Sequence, residues 1–468
     1  MDASVLRRLE GIVGRDNFFS SLEDRLVYAY DATPKLEHLP AAAARPADAA
    51  QVQAIMRLAN DAGFAVVPRG SGTGLSGGAV PVANSIVLLF PSWNRILEID
   101  TENLTAWVEP GVITAHFHAA VEARDLFYPP DPGSMKICTL GGNVAENSGG
   151  LRGLKYGVTK DYVMGLEVVL PTGELLRTGG KSVKDVAGLS LKDLFIGSEG
   201  TLGIFTKILF RLVPKPAAAR TMLVLYDDMA AAAATVSAII AAKIIPCTLE
   251  FLDAMTIRCV EDYAHVGLPT NIEALLLIEV DGHPAAVADE FEKIRRLCEQ
   301  HGARAVHVAH DAAEADKLKT ARRAAFSALA RMKPTTILED ATVPRSAVEP
   351  MLRRIHEIAR RHNVTFGIFG HAGDGNLHPT CLTDERDHDE MHRVERAFEE
   401  IFDAAIELGG TITGEHGVGL SKKRFLEKIA GPAGMEVMRK IKRVLDPNNV
   451  LNPGKMFDLK PRCEPIGT

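Results

Sequence analysis

Pro68-Arg69-Gly70-Ser71-Gly72-Thr73-Gly74-Leu75-Ser76-Gly77-Gly78 follows the strand-like run Ala65–Val67, and its reading decides the fold. Glycine at this density lets successive backbone N–H groups point at one bound anion, so the segment is a candidate pyrophosphate cradle. Gly72-x-Gly74-x-x-Gly77 matches the dinucleotide fingerprint in form. That fingerprint must open a helix, however, and here Ala79-Val80-Pro81 and the strand-like Ile86–Phe90 come next. No Gly-Lys-Ser/Thr follows, which excludes a lysine-dependent phosphate loop. Taken alone, the loop reads equally well as a turn without a ligand.

Upstream, Asp48 followed by Gln51 predicts a helix cap, and Val52, Ile55, Met56 and Ala59 recur at helical spacing until Gly63. Downstream to about Val213, short strands alternate with Gly and Pro: Ala106–Glu109, Val163–Leu170 and Gly203–Val213, with a turn at Pro171-Thr172-Gly173-Glu174. Pro214-Lys215-Pro216 and the alanines after it read as a hinge. The second half repeats strand, amphipathic helix, strand: Thr221–Leu225, Asp228–Ala242, Thr248–Leu252, then Ala274–Val280, Ala285–His301, Ala305–Val308. This predicts helices covering one face of an antiparallel sheet. A helix over Val348–Asn363 leads into strands Thr365–Phe369 and Leu377–Cys381, and Asp446–Lys455 is too rich in turn formers to be helix.

The chain of 468 residues, 46% hydrophobic and 24% charged, has room for two or three cores. A net charge of −7 without any basic block excludes a nucleic-acid partner. Cys138, Cys247, Cys259, Cys298, Cys381 and Cys463 form no Cys-x-x-Cys pair, so neither a disulfide framework nor an iron–sulfur or zinc knuckle is expected. Charged residues near the amino terminus interrupt any signal-peptide core. The apolar run Ala230–Ala242 is too short to span a bilayer. A cytoplasmic protein with at most peripheral membrane association is expected.

Two further glycine-rich segments lower the odds that the first is a bare turn. Pro129-Pro130-Asp131-Pro132-Gly133-Ser134 runs into the loop Gly141-Gly142-Asn143-Val144-Ala145-Glu146-Asn147-Ser148-Gly149-Gly150, and Gly197-Ser198-Glu199-Gly200-Thr201-Leu202-Gly203 opens the last long strand of this half. Three such segments are enough to line one extended cofactor. In the second half, His371-Ala372-Gly373-Asp374-Gly375-Asn376-Leu377-His378 places two imidazoles around a Gly-Asp-Gly turn, where a hairpin brings both to one face. Thr411-Ile412-Thr413-Gly414-Glu415-His416-Gly417-Val418-Gly419 adds a carboxylate and an imidazole. Two His and one Glu suit a divalent metal with open positions left for substrate. His116, His118, His265, His283, His307 and His310 are read as ordinary packed or surface residues.

The three loops together resemble the FAD domain of the vanillyl-alcohol oxidase / p-cresol methylhydroxylase superfamily, and more closely its D-lactate dehydrogenase and glycolate oxidase flavoprotein-subunit branch. The resemblance runs from about Pro46 to Met456. It implies an α+β fold: a two-part FAD-binding domain of the p-cresol methylhydroxylase type over residues 1–215, and an α/β cap domain on an antiparallel sheet over 216–420. A C-terminal segment, 421–468, returns to the FAD domain. The cofactor implied is FAD, not NAD. Non-covalent binding is the expectation, since no His lies between Pro68 and Gly78, and Cys138 is read as a structural thiol. The contacts implied are Arg69, Gly70, Ser71, Gly72, Thr73, Gly74, Ser76 and Gly77; Pro130, Asp131, Gly133 and Ser134; Gly141, Gly142, Asn143, Glu146, Asn147, Ser148 and Gly149; Gly153, Tyr156 and Gly157; Glu199, Gly200, Gly203 and Ile204; and Asn452.

The family's paired motifs map His371, His378 and Glu415 onto metal ligands, with Zn, Mn or Fe all suited, and His416 onto the base. Arg322 matches the family's carboxylate-binding arginine. Relatives acting on 2-hydroxyglutarate add a lysine near Thr336-Ile337-Leu338-Glu339-Asp340, where this chain has Leu338. A second carboxylate would be costly to bury there without a cation. The resemblance therefore implies FAD-dependent oxidation of a small D-2-hydroxy acid such as D-lactate or glycolate. Electrons would pass to an electron-transferring flavoprotein, a separate iron–sulfur subunit or a quinone. The rival readings are a D-2-hydroxyglutarate dehydrogenase, a metal-dependent hydrolase using the His/Glu cluster, a pure electron-carrying flavin module and a flavin-dependent alkyl-transfer enzyme.

Overall fold

The computed structural model describes residues 1–459, so Cys463 and the last part of the expected segment 421–468 lie outside the described residues. The first layer is a small sheet of three parallel strands, β1 (Ala42–Ala44), β2 (Ala65–Arg69) and β3 (Ser85–Leu89), with β3 central and Phe18–Phe19 antiparallel at the edge. Every residue of β3 is buried, as a strand covered on both sides requires. Helix α1 (Ala49–Ala62) packs Val52, Ile55, Met56 and Ala59 onto it. Asp48 caps this helix by accepting from Gln51 N, and Gly63 stops it in the left-handed conformation at φ 69. From the carboxyl end of β2 the chain passes straight into the glycine-rich loop with no helix following, which places that loop at the end of the parallel strands where such sheets bind ligands.

The second sheet is antiparallel throughout: β4 (Ile96–Asp100), β5 (Thr105–Val108), β6 (Val163–Val169), β7 (Leu175–Gly179) and β8 (Ile204–Arg211), in the order β4-β5-β8-β6-β7. The segment after Thr139, expected as a glycine loop, begins instead with a short helix, α2 (Leu140–Glu146). Thr139 accepts from Gly142 N to cap it. Leu140 and Val144, four apart, bury on the sheet, and Asn147 ends the helix at φ 57. Pro214, expected in a hinge, is part of a ladder: it pairs with Leu126, and Lys215 N donates to Asp125 O.

The cap is an eight-stranded sheet. Its strands are β9 (Ala218–Tyr226), β10 (Thr248–Asp253), β11 (Ala274–Gly282), β12 (Ala305–Val308), β13 (Thr335–Leu338), β14 (Ala341–Thr342), β15 (Thr365–His371) and β16 (Asn376–Thr383). They run β12-β9-β11-β10-β15-β16-β13, with β14 also on β16, and every pairing is antiparallel. Helices α3 (Met229–Ala241), α5 (Pro284–Gln300), α8 (Val348–His362) and α9 (His388–Glu407) cover one face. Helices α4 (Ala254–Ala264), α6 (Ala312–Arg323) and α7 (Ala325–Leu329) cover the other. This corrects the expectation of a single covered face. Met222 and Val224 of β9 bury on one side while Leu223 and Leu225 bury on the other, so both faces are apolar and both need cover.

The helical segment Leu426–Leu445, broken at Gly431, leads to the turn-rich tail. That tail runs beside β2: Val66 N donates to Val450 O and Asn452 N donates to Val66 O, both at 2.8 Å. Buried Lys442 fastens it by donating to Thr201 O and Leu451 O, each at 2.7 Å, with Asp446 as its counter-ion. No helix among the described residues is long and apolar enough to cross a membrane.

Candidate active site

A cavity of about 820 Å³ runs from the glycine-rich loop to the face of the cap sheet under α6 and α7. Its first-domain wall holds Arg69, Gly70, Ser71, Gly72, Thr73 and Gly74; Gly133 and Ser134; Gly141, Gly142, Asn143, Glu146 and Ser148; and Glu199, Gly200, Gly203 and Ile204. Its cap wall holds Arg322, Arg323, Phe326, Leu338, Phe369, His371, His378, Glu415 and His416. Backbone-rich walls at one end and imidazoles at the other suit a long phosphate-bearing cofactor presented to a reaction centre. Gly72, at φ +70, adopts a backbone that an L side chain rarely takes.

Some expected cofactor contacts are not part of this wall, and most of them have polar groups engaged inside the protein, although Ser76 Oγ and Asn452 Oδ1 are buried without a partner. The Ser76 carbonyl accepts from Leu420 N, and the Gly77 carbonyl accepts from Lys455 Nζ. The Pro130 carbonyl meets His118 Nε2. Asp131 pairs with Arg152 and Arg323 and accepts from Arg152 N. Asn147 caps α2 and accepts from Lys160 N. Tyr156 donates to Asp281 Oδ2 at 2.7 Å. Gly153 and Gly157 lie where added side chains would press on Asp374 and Asp161. Asn452 donates to the carbonyls of Gly78 and Glu199. Gly149 belongs to the reaction-centre end, since a Cβ there would sit 2.8 Å from Glu415 Oε2.

At the cap end, the β15–β16 hairpin puts His371 opposite Asn376, two residues before His378, so both imidazoles project from the same face with ring centroids 5.1 Å apart. Three imidazoles converge on one oxygen. His371 Nε2, His378 Nε2 and His416 Nε2 lie 3.3, 3.4 and 3.9 Å from Glu415 Oε1. Their other nitrogens face carboxylates: His371 Nδ1 meets Glu250 Oε1 at 2.7 Å, and His378 Nδ1 meets Asp340 Oδ1 at 3.0 Å. His416 Nδ1 is 3.2 Å from the same Asp340 oxygen, out of line for a hydrogen bond, and His416 stacks on His378 at 12°. Carboxylates behind the imidazoles fix their orientation and raise ligand basicity, the arrangement found around bound metal ions.

Sequence reading passed over Asp340 and Glu250. Asp340 Oδ2 accepts from Thr413 Oγ1 and from the backbone N–H of Gly414, Glu415 and His416, so one buried carboxylate shapes the Glu415–His416 loop and orients two rings. Glu250 stands between the apolar residues Leu249 and Phe251 in a strand buried along its whole length. A charge in such a strand demands a buried partner, and that was the available signal. Its partners are His371 and Arg322, the latter at 2.6 Å. Arg322 also lies over the Phe369 ring at 4.7 Å, and its Nε has no partner. Arg323, at the cavity edge, faces Asp131 at 3.6 Å.

Burial pushes the His416 imidazole down to about 4, against the opposing pull of Asp340, so it is neutral at physiological pH. Burial would also lower His371, but Glu250 and Glu415 override it and raise this imidazole well above its ordinary value. Burial would raise Glu415, yet the charge of His371 and its neighbours brings it down to about 2. Asp340 is likewise held well below the usual range because His416 and Lys422 outweigh its burial. The cluster thus gathers buried anionic oxygens around imidazole nitrogens, and His371, His378 and Glu415 form a donor set that a divalent cation fits. The ligand atoms of Asp340, His378, Glu415 and His416 also lie within 4.8 Å of one another. Asp340, however, already spends its oxygens on three N–H groups, a hydroxyl and His378, and is better placed to orient ligands than to be one.

A glycine-walled cavity between a small mixed sheet and an antiparallel cap, with imidazoles at its inner end, defines the class: the chain belongs to the FAD-linked oxidase family and is a FAD-linked oxidoreductase. Residues 215–456 match the model for FAD linked oxidases, C-terminal domain, and residues 40–179 match that for the FAD binding domain. The chain is 56% identical over 453 residues to the glycolate oxidase subunit GlcD of Bacillus subtilis, covering 97% of this chain and 96% of the relative. It is 36% identical to the D-lactate dehydrogenase of Archaeoglobus fulgidus, covering 92% and 95%. The p-cresol methylhydroxylase crystal structure superposes with a TM-score of 0.80 at 20% identity, covering 97% and 96%, which shows the shared fold.

Proposed function

We propose that the protein oxidises a small D-2-hydroxy acid, D-lactate or glycolate, to the 2-oxo acid, and that it hands the electrons on to a protein or quinone acceptor. The observation that carries this reading is the convergence of three imidazole Nε2 atoms on Glu415 Oε1 at the inner end of the cavity. The names of the relatives, glycolate oxidase subunit and D-lactate dehydrogenase, support the substrate class. FAD, bound non-covalently along the glycine loops, supplies the two-electron acceptor, and a divalent metal on His371, His378 and Glu415 supplies a Lewis acid for the hydroxyl oxygen. We divide the chain accordingly into a cofactor part to residue 215, a cap with the metal residues to 420, and a returning segment after it. A cytoplasmic location is in keeping with this role.

The side chains themselves do four things. Neutral His416 takes the hydroxyl proton on Nε2. Asp340 and Glu250 hold the imidazoles in orientation. Arg322, fixed by Glu250 and by Phe369 at the cavity wall, meets the substrate carboxylate. Phe326, Leu338 and Phe369 close the cap wall with apolar surface, and the second arginine of that wall, Arg323, faces Asp131, which favours a monocarboxylic substrate over 2-hydroxyglutarate.

Arg322→Met tests the carboxylate contact. Losing a charge-assisted hydrogen bond of about 1.5–3 kcal/mol is expected to raise KM by roughly 10- to 100-fold, with FAD still bound. Steady-state kinetics on glycolate and D-lactate check it, and an unchanged KM would remove Arg322 from substrate binding.

A further inference from the structure

The loop Thr413–Gly419 carries the proposed metal ligand Glu415 and base His416, yet its backbone makes almost none of its own hydrogen bonds. From Gly414 to Gly419 every N–H is taken by a side chain. Gly414, Glu415 and His416 donate to Asp340 Oδ2 at 3.1, 3.1 and 2.9 Å, and Gly417 donates to Thr413 Oγ1 at 3.1 Å. Val418 and Gly419 donate to Glu199 Oε1 and Oε2 at 2.7 and 2.6 Å. Two carboxylates therefore shape the loop, one from each side of the cavity: Asp340 from the cap, Glu199 from the segment that opens β8.

Glu199 is itself held rigidly. It is buried, and its backbone is in the left-handed region at φ 51. Its N–H donates to Ala145 O, and its carbonyl accepts from Asn452 Nδ2, both at 2.8 Å. Gly417, at φ +81, lets the loop pass close by, since a Cβ there would lie 2.5 Å from Glu146 Oε2 and 3.0 Å from Glu199 Oε1. A residue aimed only at cofactor would not place both oxygens on two consecutive backbone N–H groups of another segment. Charge-assisted bonds of this length are the strong kind, and they fix distance and direction together.

We infer that Glu199 is a positioning residue for the reaction centre: from the cofactor side of the cavity it holds the loop that sets Glu415 against His371 and His378 and His416 against the substrate. This rests on the metal and base roles given above. Its consequence is that Glu199, beside the Ser76 carbonyl that accepts from Leu420 N, registers the cofactor domain to the metal centre.

Glu199→Gln tests it, because the amide keeps one acceptor and turns an NH₂ group toward the other loop N–H. Relative to wild type, the variant is expected to release metal to a chelator, and to lose kcat per bound flavin, by about 10- to 100-fold, the usual cost of losing an outer-shell partner. FAD content should match wild type while the thermal midpoint falls, since one buried loop N–H loses its acceptor, and KM should change by less than roughly threefold on the same principle that only the loop geometry is altered. Glu199→Asp, which keeps the charge on a shorter arm, should fall between the two, and it decides the matter if the glutamine variant does not fold. Wild-type metal release and kcat per flavin in the folded variant overturn the tether. A thermal midpoint and FAD content that fall while kcat per flavin stays constant also overturn it, by showing a role in stability alone. A wild-type enzyme that holds no metal overturns the metal centre instead.

Discussion

His416→Ala is expected to slow flavin reduction by the hydroxy acid by about 10²- to 10⁴-fold, the range a positioned general base contributes. FAD and metal should stay bound, because the expected ligands His371, His378 and Glu415 and the cofactor loops are untouched. The position of His416 suits a base, since its Nε2 faces the Glu415 oxygen at 3.9 Å, it stacks flat on His378, and it lines the cavity. Burial pushes it to about 4, so the neutral form that accepts a proton is the one present from mildly acidic pH upward. Stopped-flow mixing under anaerobic conditions measures the reduction directly. A rate within a few-fold of wild type would mean that the proton leaves by another route.

Asp340→Asn is expected to do broader damage, reaching metal affinity and stability as well as activity, since one carboxylate does three jobs. It accepts from Thr413 Oγ1 and three loop N–H groups through Oδ2, faces His378 and His416 through Oδ1, and shares with Glu339, the direct partner at 3.0 Å, the field of buried Lys422. An amide of the same shape would turn its NH₂ either toward those donors or toward the imidazoles. Metal affinity and activity should each fall at least 10- to 100-fold, roughly the cost of losing an outer-shell carboxylate. Stability should fall by about 3–5 kcal/mol, as when one partner of a buried charge network is removed. Metal content after dialysis and urea unfolding measure the two effects separately. An Asp340→Asn protein with wild-type metal content and stability would show that the loop and the imidazoles are held some other way.

Much of the fold could be read from local pattern. The Asp48–Gln51 cap, the Gly63 stop and the two strand–helix–strand repeats fall where hydrogen-bond caps and apolar spacing put them. Where local pattern failed, the deciding contact was distant in sequence. Gly141-Gly142 looks like loop, yet Thr139 caps the turn and Leu140 and Val144 bury on the second sheet, so a helix forms. The continuous apolar runs of β9 and β11 meant cover on both faces, a signal that was present but read as one-sided. At the site, glycine-flanked His371, His378, Glu415 and His416 were visible because several metal-ligand side chains in a glycine-rich setting are uncommon. Asp340 and Glu250 were not, because a lone acid in a strand says only that it needs a partner, and the partners lie 76 and 121 residues away. The resemblance implies that Glu199 is a cofactor contact. It does line the cavity, but its carboxylate turns to the loop at Val418 and Gly419.

Anaerobic titration of the FAD-loaded protein with D-lactate, L-lactate, glycolate and D-2-hydroxyglutarate, following flavin absorbance near roughly 450 nm, a property of the cofactor itself, tests the proposed chemistry most directly. Stoichiometric bleaching by D-lactate or glycolate, with L-lactate and D-2-hydroxyglutarate leaving the flavin oxidised, is the predicted result. Bleaching by D-2-hydroxyglutarate alone, or by none of the four, would contradict it.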